Sequence, residues 1–205
     1  MLTIKQYGVT LTRITSCDIE LLRYWRNQQS VKMYMDYREN ITPEMQQKWF
    51  ESVNNKFNYY FIIAFEGKQV GLINAKNFSY ENGFGEGGIF IWDAAYINSF
   101  AAVFSTLALL NFVFHKVKLC ETSHARILKD NDRAIHYNQL IGYKLASEQE
   151  NEYNQLYVLT LEDYLKNGAK LNKAAEMLNN GNGELTYSGT VSENNLDEIN
   201  KLLKN

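Results

Sequence analysis

One segment, Glu86–Tyr143, limits what this chain can fold into more than any other. It starts with a nearly continuous apolar run, Gly88–Trp92, whose short length and flanking glycines favour a buried strand over a helix. From Asn98 or Ser99, both good N-cap residues, an apolar stretch without Gly or Pro continues to Lys116. That stretch predicts a helix that is buried on nearly every side.

Two further elements follow in the same segment. The alternating residues Thr122–Leu128 predict a second strand. Asn131 predicts the N-cap of a short helix, and Gly142 predicts its end because glycine tolerates left-handed backbone. This strand, helix, strand, helix order places one helix N-terminus at the seam between two neighbouring strands. Free N–H groups and partial positive charge at such a terminus favour an anion, so we expect a phosphate-bearing ligand.

The composition indicates a single globular domain with an appendage. The chain has 205 residues, 45% of them apolar, which is enough to fill a substantial core. Its 23 acidic and 21 basic residues give a formal net charge of −2, without a long basic run. The charge balance therefore favours neither a nucleic-acid partner nor an anionic membrane.

Neither the cysteines nor the apolar runs indicate a metal site or a membrane span. Cys17 and Cys120 lie far apart without metal-ligand spacing, so we expect free thiols and no metal. The first residues lack a secretory pattern, and no apolar run reaches the roughly 20 residues that a bilayer requires. These features predict a cytoplasmic protein.

The rest of the chain predicts more strands and an amphipathic front. Thr15 or Ser16 can cap a helix over residues 17–27, and residues 31–37 suggest a further helical turn. Thr42 and Pro43 predict another helix start, with Met45, Trp49 and Val53 as its apolar stripe. The remaining predicted elements are strands, at 3–14, at 59–65 and 69–75 as a hairpin, and at 142–146 and 153–161 as a closing pair.

We therefore predict an α/β (α+β mixed) fold. Its centre is a mixed, mostly antiparallel sheet of six to seven strands, flanked by about four helices. Residues 1–165 form this domain in the prediction, and residues 166–205 form a helical C-terminal extension. Within the extension we expect one helix to about Leu178, a turn at 179–183 and a last helix from Asn195 to Leu203.

Five segments, in this order and spacing, resemble the GNAT (Gcn5-related N-acetyltransferase) superfamily, in its ribosomal-protein and amino-sugar acetyltransferase branch. They are Leu22–Asn27, which ends in WRN, ITPEMQQKWFE at 41–51, VGLIN at 70–74, EGGIFI at 86–91 and NDRAIHYNQLIGYKL at 131–145. The resemblance implies an enzyme that moves an acetyl group from acetyl-coenzyme A (acetyl-CoA) to a primary amine. It leaves the chain after residue 165 unexplained.

The same resemblance implies where the coenzyme lies. Its pyrophosphate would rest on N–H groups near Asn98, and its pantetheine arm would lie between two splayed strands, 86–92 and 119–128. The implied coenzyme-binding residues are Ile89, Phe90, Ile91, Asn98, Ser99, Phe100, Ala101, Ala102, Asn131 and Ala134.

Glu86 is the first candidate for the catalytic base, either directly or through water, because related enzymes often place a glutamate there. His124 on the following strand is a second candidate that can also contact substrate. A structural role remains open for each: Glu86 as a strand-end carboxylate that pairs with a lysine, and His124 as a satisfied structural histidine.

Two positions depart from the family pattern. Phe100 stands where relatives carry a glycine that lets phosphate approach the backbone. Asn138 stands where relatives often carry a tyrosine that protonates the leaving thiolate, and Tyr137 precedes it by one residue, about 100° around the helix. Asn138 can donate a hydrogen bond to the sulfur but cannot give up a proton, and Tyr137 can equally be core packing.

The acceptor must contact the front helices and the loop at 77–85. Candidate substrate-binding residues are Trp25, Arg26, Asn27, Tyr34, Tyr80 and His124, with Tyr37 and Trp49 on the same side. Aromatic faces and an arginine suit a small-molecule amine such as a nucleotide-linked amino sugar, and equally a peptide N-terminus, although Trp25 and Trp49 also fit core positions. Three functions stay open: a small-molecule N-acetyltransferase, a ribosomal-type protein N-terminal acetyltransferase, and a CoA-binding protein with weak or no catalysis. A homodimer is also possible through the C-terminal extension.

Overall fold

The computed structural model of this chain describes residues 1–190 and Lys201. The strands are β1 Thr3–Gln6, β2 Val9–Arg13, β3 Tyr59–Phe65, β4 Lys68–Ser79, β5 Phe84–Ile91, β6 Thr122–Leu128, β7 Lys144–Leu145, β8 Asn154–Thr160 and β9 Thr186–Ser188. The α-helices are α1 Ile19–Arg26, α2 Gln29–Lys32, α3 Pro43–Val53, α4 Ala101–Leu110, α5 Asp132–Ile141 and α6 Leu161–Leu178.

All nine described strands form one sheet in the order β7-β8-β6-β5-β4-β3-β2-β1-β9. Only the β5–β6 pair is parallel, and α4 is the crossover between these two strands. The predicted mixed, mostly antiparallel fold is thus confirmed. The sheet is wider than expected because residues 3–14 form two strands, β1 and β2, and because the unpredicted strand β9 pairs with β1 at one edge.

Local sequence chemistry explains several element ends. The hairpin between β3 and β4 turns at Glu66 and Gly67, whose φ angles of 51° and 77° are those of a tight two-residue turn. Thr42 accepts a hydrogen bond from the Met45 N–H, with Pro43 at the first helical position, so α3 begins as predicted.

Helices cover both faces of the sheet. On one face, α1 and α3 bury an apolar cluster that includes Leu22, Phe50 and Trp92. On the other face, α4 and α6 pack against a larger core that includes Phe61, Leu107 and Tyr164. Successive side chains of β5 therefore point alternately to the front helices and to α4.

Three sequence predictions about the helices need correction. The buried positions of α3 are Gln46 and Phe50. Of the predicted stripe, Trp49 and Val53 are half-buried and pack against the same front cluster, whereas Met45 is exposed. The predicted turn at 31–37 is a short helix, α2, that ends at Lys32.

The predicted helix from Asn98 or Ser99 starts later, at Ala101, because residues 94–96 form a separate 3-10 turn. The Ser99 hydroxyl instead donates to the carbonyl of Tyr96 and accepts from the Ala101 N–H. From Asn111 to Lys116 the helix continues as a π-helix.

The C-terminal part of the described chain is integrated into the core. Helix α6 runs to Leu178 as predicted and buries Tyr164, Gly168 and Ala175. Strand β9 then pairs with β1 and was not predicted. The predicted helix at 195–203 falls on residues outside the described part, apart from Lys201. In the described part of the chain, no helix has the length and apolar character needed to cross a membrane.

Candidate active site

The parallel strands β5 and β6 separate partway along their length. Their ladder has four pairs, from Phe84 with Thr122 to Gly87 with Ala125. Beyond Gly87, β5 stays paired with β4 while β6 stays paired with β8. The diverging backbone edges leave a gap, in which peptide N–H and C=O groups are available to an extended ligand.

A cavity of about 870 Å³ connects this gap with the front helices. Its inner wall is the α4 and α5 side, with Thr106, Leu109, Val113 and Ala134, and its front wall includes Arg26, Gln46, Trp49 and Tyr60. Of the predicted coenzyme-binding residues, Ile89, Phe90, Asn131 and Ala134 line the cavity. Ile91 and residues 98–102 lie outside its lining, toward the α4 N-terminus.

Two backbone N–H groups at the N-terminus of α4 are free in the described part of the chain. The Ala101 N–H is satisfied by Ser99, whereas the N–H groups of Ala102 and Val103 have no acceptor among the described residues. The Phe100 ring stacks on Phe104 with centroids 5.3 Å apart, is 52% exposed, and does not line the cavity. Phe100 therefore leaves the gap between the strands open.

Arg133, at the start of α5, holds this loop from the other side. Its guanidinium donates hydrogen bonds to the carbonyl of Ile97 and, at 2.8 Å, to Asn98 Oδ1. An exposed arginine that bonds the loop just before free helix N–H groups adds a cationic donor that suits a phosphate. Sequence reasoning missed Arg133, although its place two residues after the Asn131 cap was a usable signal.

Helix α5 places Tyr137 and Asn138 differently. The Tyr137 hydroxyl hydrogen-bonds with the Ala102 carbonyl and the Thr106 hydroxyl, and burial raises the pKa of Tyr137. Asn138 donates its amide to the Ala134 carbonyl at 2.8 Å, and both Tyr137 and Asn138 line the cavity. Asn131 accepts from the Ala134 N–H, so it caps α5 as predicted, and Gly142 ends the helix with φ 118°.

Glu86 lies on the front face of β5, opposite Lys76 on β4 and His124 on β6. Its carboxylate pairs with Lys76 Nζ at 2.8 Å and accepts from Asn77 Nδ2 at 3.4 Å. Glu86 lines the cavity, and 21% of its side chain is exposed. Glu86 thus pairs with a lysine, as in the structural alternative left open by the sequence. Its carboxylate nevertheless still faces the cavity.

His124 is less well placed for chemistry. Its ring stacks on Phe84 with centroids 4.7 Å apart, and it does not line the cavity. Burial lowers the pKa of His124, which favours the neutral imidazole.

The front wall holds buried polar atoms without partners. Arg26 Nε and Asn74 Oδ1 are both buried, and neither has a hydrogen-bond partner among the described residues. Burial lowers the pKa of Arg26, and no carboxylate of the described chain lies within ion-pairing distance of its guanidinium. Gln46 lines the same wall and is 3% exposed. Unsatisfied buried polar groups are rare in folded proteins, so this wall fits a polar ligand.

The remaining predicted substrate residues are divided between the cavity and its surroundings. Tyr34 lines the cavity. Trp25 instead stacks on Trp92, with centroids 5.8 Å apart, and Asn27 exchanges hydrogen bonds with the backbone of Ile41. Tyr80 stacks on Phe78 and bonds the Lys56 carbonyl, also outside the cavity lining.

Sequence reasoning also missed a pair of hydroxyls, those of Ser123 and Tyr143, which lie 2.7 Å apart and line the cavity. Burial raises the pKa of Tyr143 to about 12. No local pattern could reveal this contact because it joins β6 to the segment after α5.

Comparisons with known proteins agree with this geometry. An uncharacterized protein of Methanocaldococcus jannaschii, MJ1062, is 26% identical over 152 residues, which is 71% of this chain. The chain spans only 30% of the length of that relative.

Solved structures share the fold. FdhC, described as a nucleotide-linked sugar GNAT, superposes with a TM-score of 0.68 at 22% identity, covering 82% of this chain and 96% of FdhC. Spermidine N-acetyltransferase from Vibrio cholerae, in complex with CoA and spermine, superposes with a TM-score of 0.67 at 14% identity. That match covers 77% of this chain and 98% of the enzyme.

The decisive match is to a family. Residues 9–144, about two thirds of the chain, match the acetyltransferase (GNAT) domain. These residues contain β5, α4, β6 and α5, which form the gap, the free helix N-terminus and the inner wall of the cavity. The chain belongs to the GNAT acetyltransferase family.

Proposed function

We propose that this protein is an acetyl-CoA-dependent N-acetyltransferase that acts on a primary amine of a small molecule, with a nucleotide-linked amino sugar as the favoured acceptor. The observation that carries the proposal is a continuous cavity of about 870 Å³ that joins the gap between β5 and β6 to a polar front wall. Such a passage lets a thioester from one side meet an amine from the other.

The chemistry needs three things from the protein. The amine must be neutral when it attacks the thioester carbonyl, the carbonyl must be polarised, and the thiolate must be accommodated. Glu86 lies at the closed end of the gap and can take the ammonium proton directly or through water. Lys76, 2.8 Å from Glu86, holds this carboxylate in place. Unpaired backbone N–H groups of β5 beyond Gly87 are available to the carbonyl oxygen.

Arg26 favours an acceptor that carries an anion. A guanidinium that is largely desolvated and lacks a carboxylate partner gains most from a ligand phosphate or carboxylate. A nucleotide-linked amino sugar supplies a diphosphate as well as an amine. A polyamine brings only positive charges and would be repelled by Arg26.

Thiol release from acetyl-CoA tests the proposal on the full chain. The acceptors are a panel of nucleotide-linked amino sugars, the matching free amino sugars, spermidine, and peptides with free N-termini. We expect turnover with a nucleotide-linked sugar, and a KM in the variant Arg26→Met that rises for this acceptor but not for the free amino sugar. Turnover with peptides alone would favour a protein N-terminal acetyltransferase, and no turnover with any amine would leave only coenzyme binding.

A further inference from the structure

The closed end of the gap between β5 and β6 is lined by two hydroxyl groups. Gly87 forms the last ladder pair, with Ala125. A Cβ atom built on Gly87 would lie 3.6 Å from both Ser123 Oγ and Tyr143 Oη. The two oxygens are 2.7 Å apart, and both residues line the cavity. The hydroxyl pair therefore lies where β5 and β6 begin to separate, on the α4 side of the sheet.

The sulfur of a coenzyme bound in this gap must come close to that point. The pantetheine arm needs the separated strand edges for its hydrogen bonds, and the thioester must reach the amine near Glu86, the residue before Gly87. The arm therefore ends at the closed end of the gap.

We propose that the Tyr143 hydroxyl, held in place by Ser123, donates a hydrogen bond to the coenzyme sulfur as the thioester bond breaks. This inference rests on the proposed acetyl transfer and assigns a catalytic residue to it. Ser123 is the positioning residue, because it contacts the phenol and not the reacting atoms.

The neighbouring polar groups are less suited to this task. The Tyr137 hydroxyl is already bonded to Ala102 and Thr106 of α4. The Asn138 amide donates to the Ala134 carbonyl within its own helix. The Cys120 thiol also lines the cavity, but burial raises its pKa to about 12, and a neutral thiol is a weak donor.

Tyr143 keeps its proton under working conditions because burial raises its pKa to about 12. In the reaction the amine nitrogen forms a bond to the carbonyl carbon, and the C–S bond breaks with its electron pair moving to sulfur. The Tyr143 O–H stabilises this developing thiolate without transferring its proton. The proton lost by the amine passes to Glu86 or water, and the free thiol forms by protonation from water.

Binding of CoA and of desulfo-CoA, which lacks only the sulfur, tests the proposal without relying on turnover. Calorimetry at pH 7 and pH 9 compares the unmodified protein with Tyr143→Phe. The matched control is Tyr157→Phe, which alters a buried tyrosine whose hydroxyl bonds Gln155 at 3.3 Å outside the cavity lining.

In the unmodified protein and the control, we expect CoA to bind roughly tenfold more tightly than desulfo-CoA at pH 9, where a thiol of pKa near 8.5 is largely thiolate. This preference should shrink at pH 7 and be lost in Tyr143→Phe. The kcat of Tyr143→Phe should fall by about 10- to 100-fold, with the KM for acetyl-CoA little changed.

Two results would overturn the assignment of Tyr143. One is equal affinity of the unmodified protein for CoA and desulfo-CoA at pH 9, which requires no variant to fold. The other is an unchanged preference and kcat in Tyr143→Phe. Failure of the proposed function itself looks different, because the unmodified protein would then release no thiol from acetyl-CoA with any amine, whether or not it binds CoA and desulfo-CoA.

Discussion

Among single residues, Glu86 has two roles: it pairs with Lys76 in the sheet, and it is the proposed catalytic base. Its carboxylate is shared between Lys76 at 2.8 Å and Asn77 at 3.4 Å, and it still borders the cavity. A carboxylate that borders the cavity and is fixed by a neighbouring cation can accept a proton from a bound ammonium or from a water beside it. The lysine pair is therefore compatible with a base that acts through water.

We expect Glu86→Gln to lower kcat by about 100-fold, because loss of a general base typically costs that much or more. The loss should be smaller at high pH, where the amine is already neutral. The measurement is the pH profile of kcat with a saturating amine. Glu66→Gln, at the tip of the β3–β4 hairpin, is the control and should behave like the unmodified protein. Full turnover of Glu86→Gln at every pH would remove the base assignment.

At the scale of elements, the sequence predicted what local chemistry determines. Asn131 caps α5, Gly142 ends it with φ 118°, and Thr42 with Pro43 opens α3. The order of apolar runs also predicted the two neighbouring strands on either side of α4, which the structure shows to be parallel.

What the sequence could not supply depends on contacts between distant segments. Ser99 was predicted as a possible cap, and its hydroxyl does accept from the Ala101 N–H, but it also donates to the Tyr96 carbonyl and α4 begins only at Ala101. Gln46 rather than Met45 faces inward because of how α3 packs on the sheet. The Ser123–Tyr143 pair joins residues from two elements, and neither segment alone indicates it.

The loop before α4 yields a prediction for the coenzyme's phosphates. Arg133 bonds the loop that precedes the free N–H groups of Ala102 and Val103, so Arg133→Gln should weaken CoA binding by roughly tenfold. The affinity of the unmodified protein for CoA should fall as the salt concentration rises. The affinity of Arg133→Gln for CoA should fall less steeply. Calorimetry at two salt concentrations measures both effects. Lys170→Gln, on the exposed side of α6, is the control, and equal affinities in all three proteins would contradict the role of Arg133.

At the scale of the whole molecule, α6 is held to the core by a connected polar network. Asn172 accepts from Tyr7 Oη and Asn111 Nδ2, each at 2.8 Å, and donates to Tyr164 Oη at 3.1 Å. Asn111 also bonds Gln6 of β1 at 3.0 Å, so the network joins β1, the π-helix and α6. These bonds attach the C-terminal part of the chain to the face of the sheet that carries α4.

Replacing Asn172 by alanine should lower the free energy of unfolding by about 1–3 kcal/mol, because several buried partners lose their hydrogen bonds together. Chemical denaturation measures this loss. Lys173→Ala, at an exposed neighbouring position, should change it by less than about 0.5 kcal/mol. The KM for acetyl-CoA should stay unchanged in both variants, since Asn172 lies outside the cavity lining. A large change in KM without loss of stability would mean that the network has another role.

The central claim is that the gap between β5 and β6 holds the pantetheine arm of acetyl-CoA. Calorimetric titration of the full chain with acetyl-CoA, and in parallel with adenosine 3′,5′-bisphosphate, which lacks the arm, tests it most directly. We predict one site per chain and an affinity for acetyl-CoA at least about tenfold higher than for the bisphosphate, since only the former can use the strand edges. Equal affinity for the two ligands, or no binding of acetyl-CoA at millimolar concentration, would contradict the account.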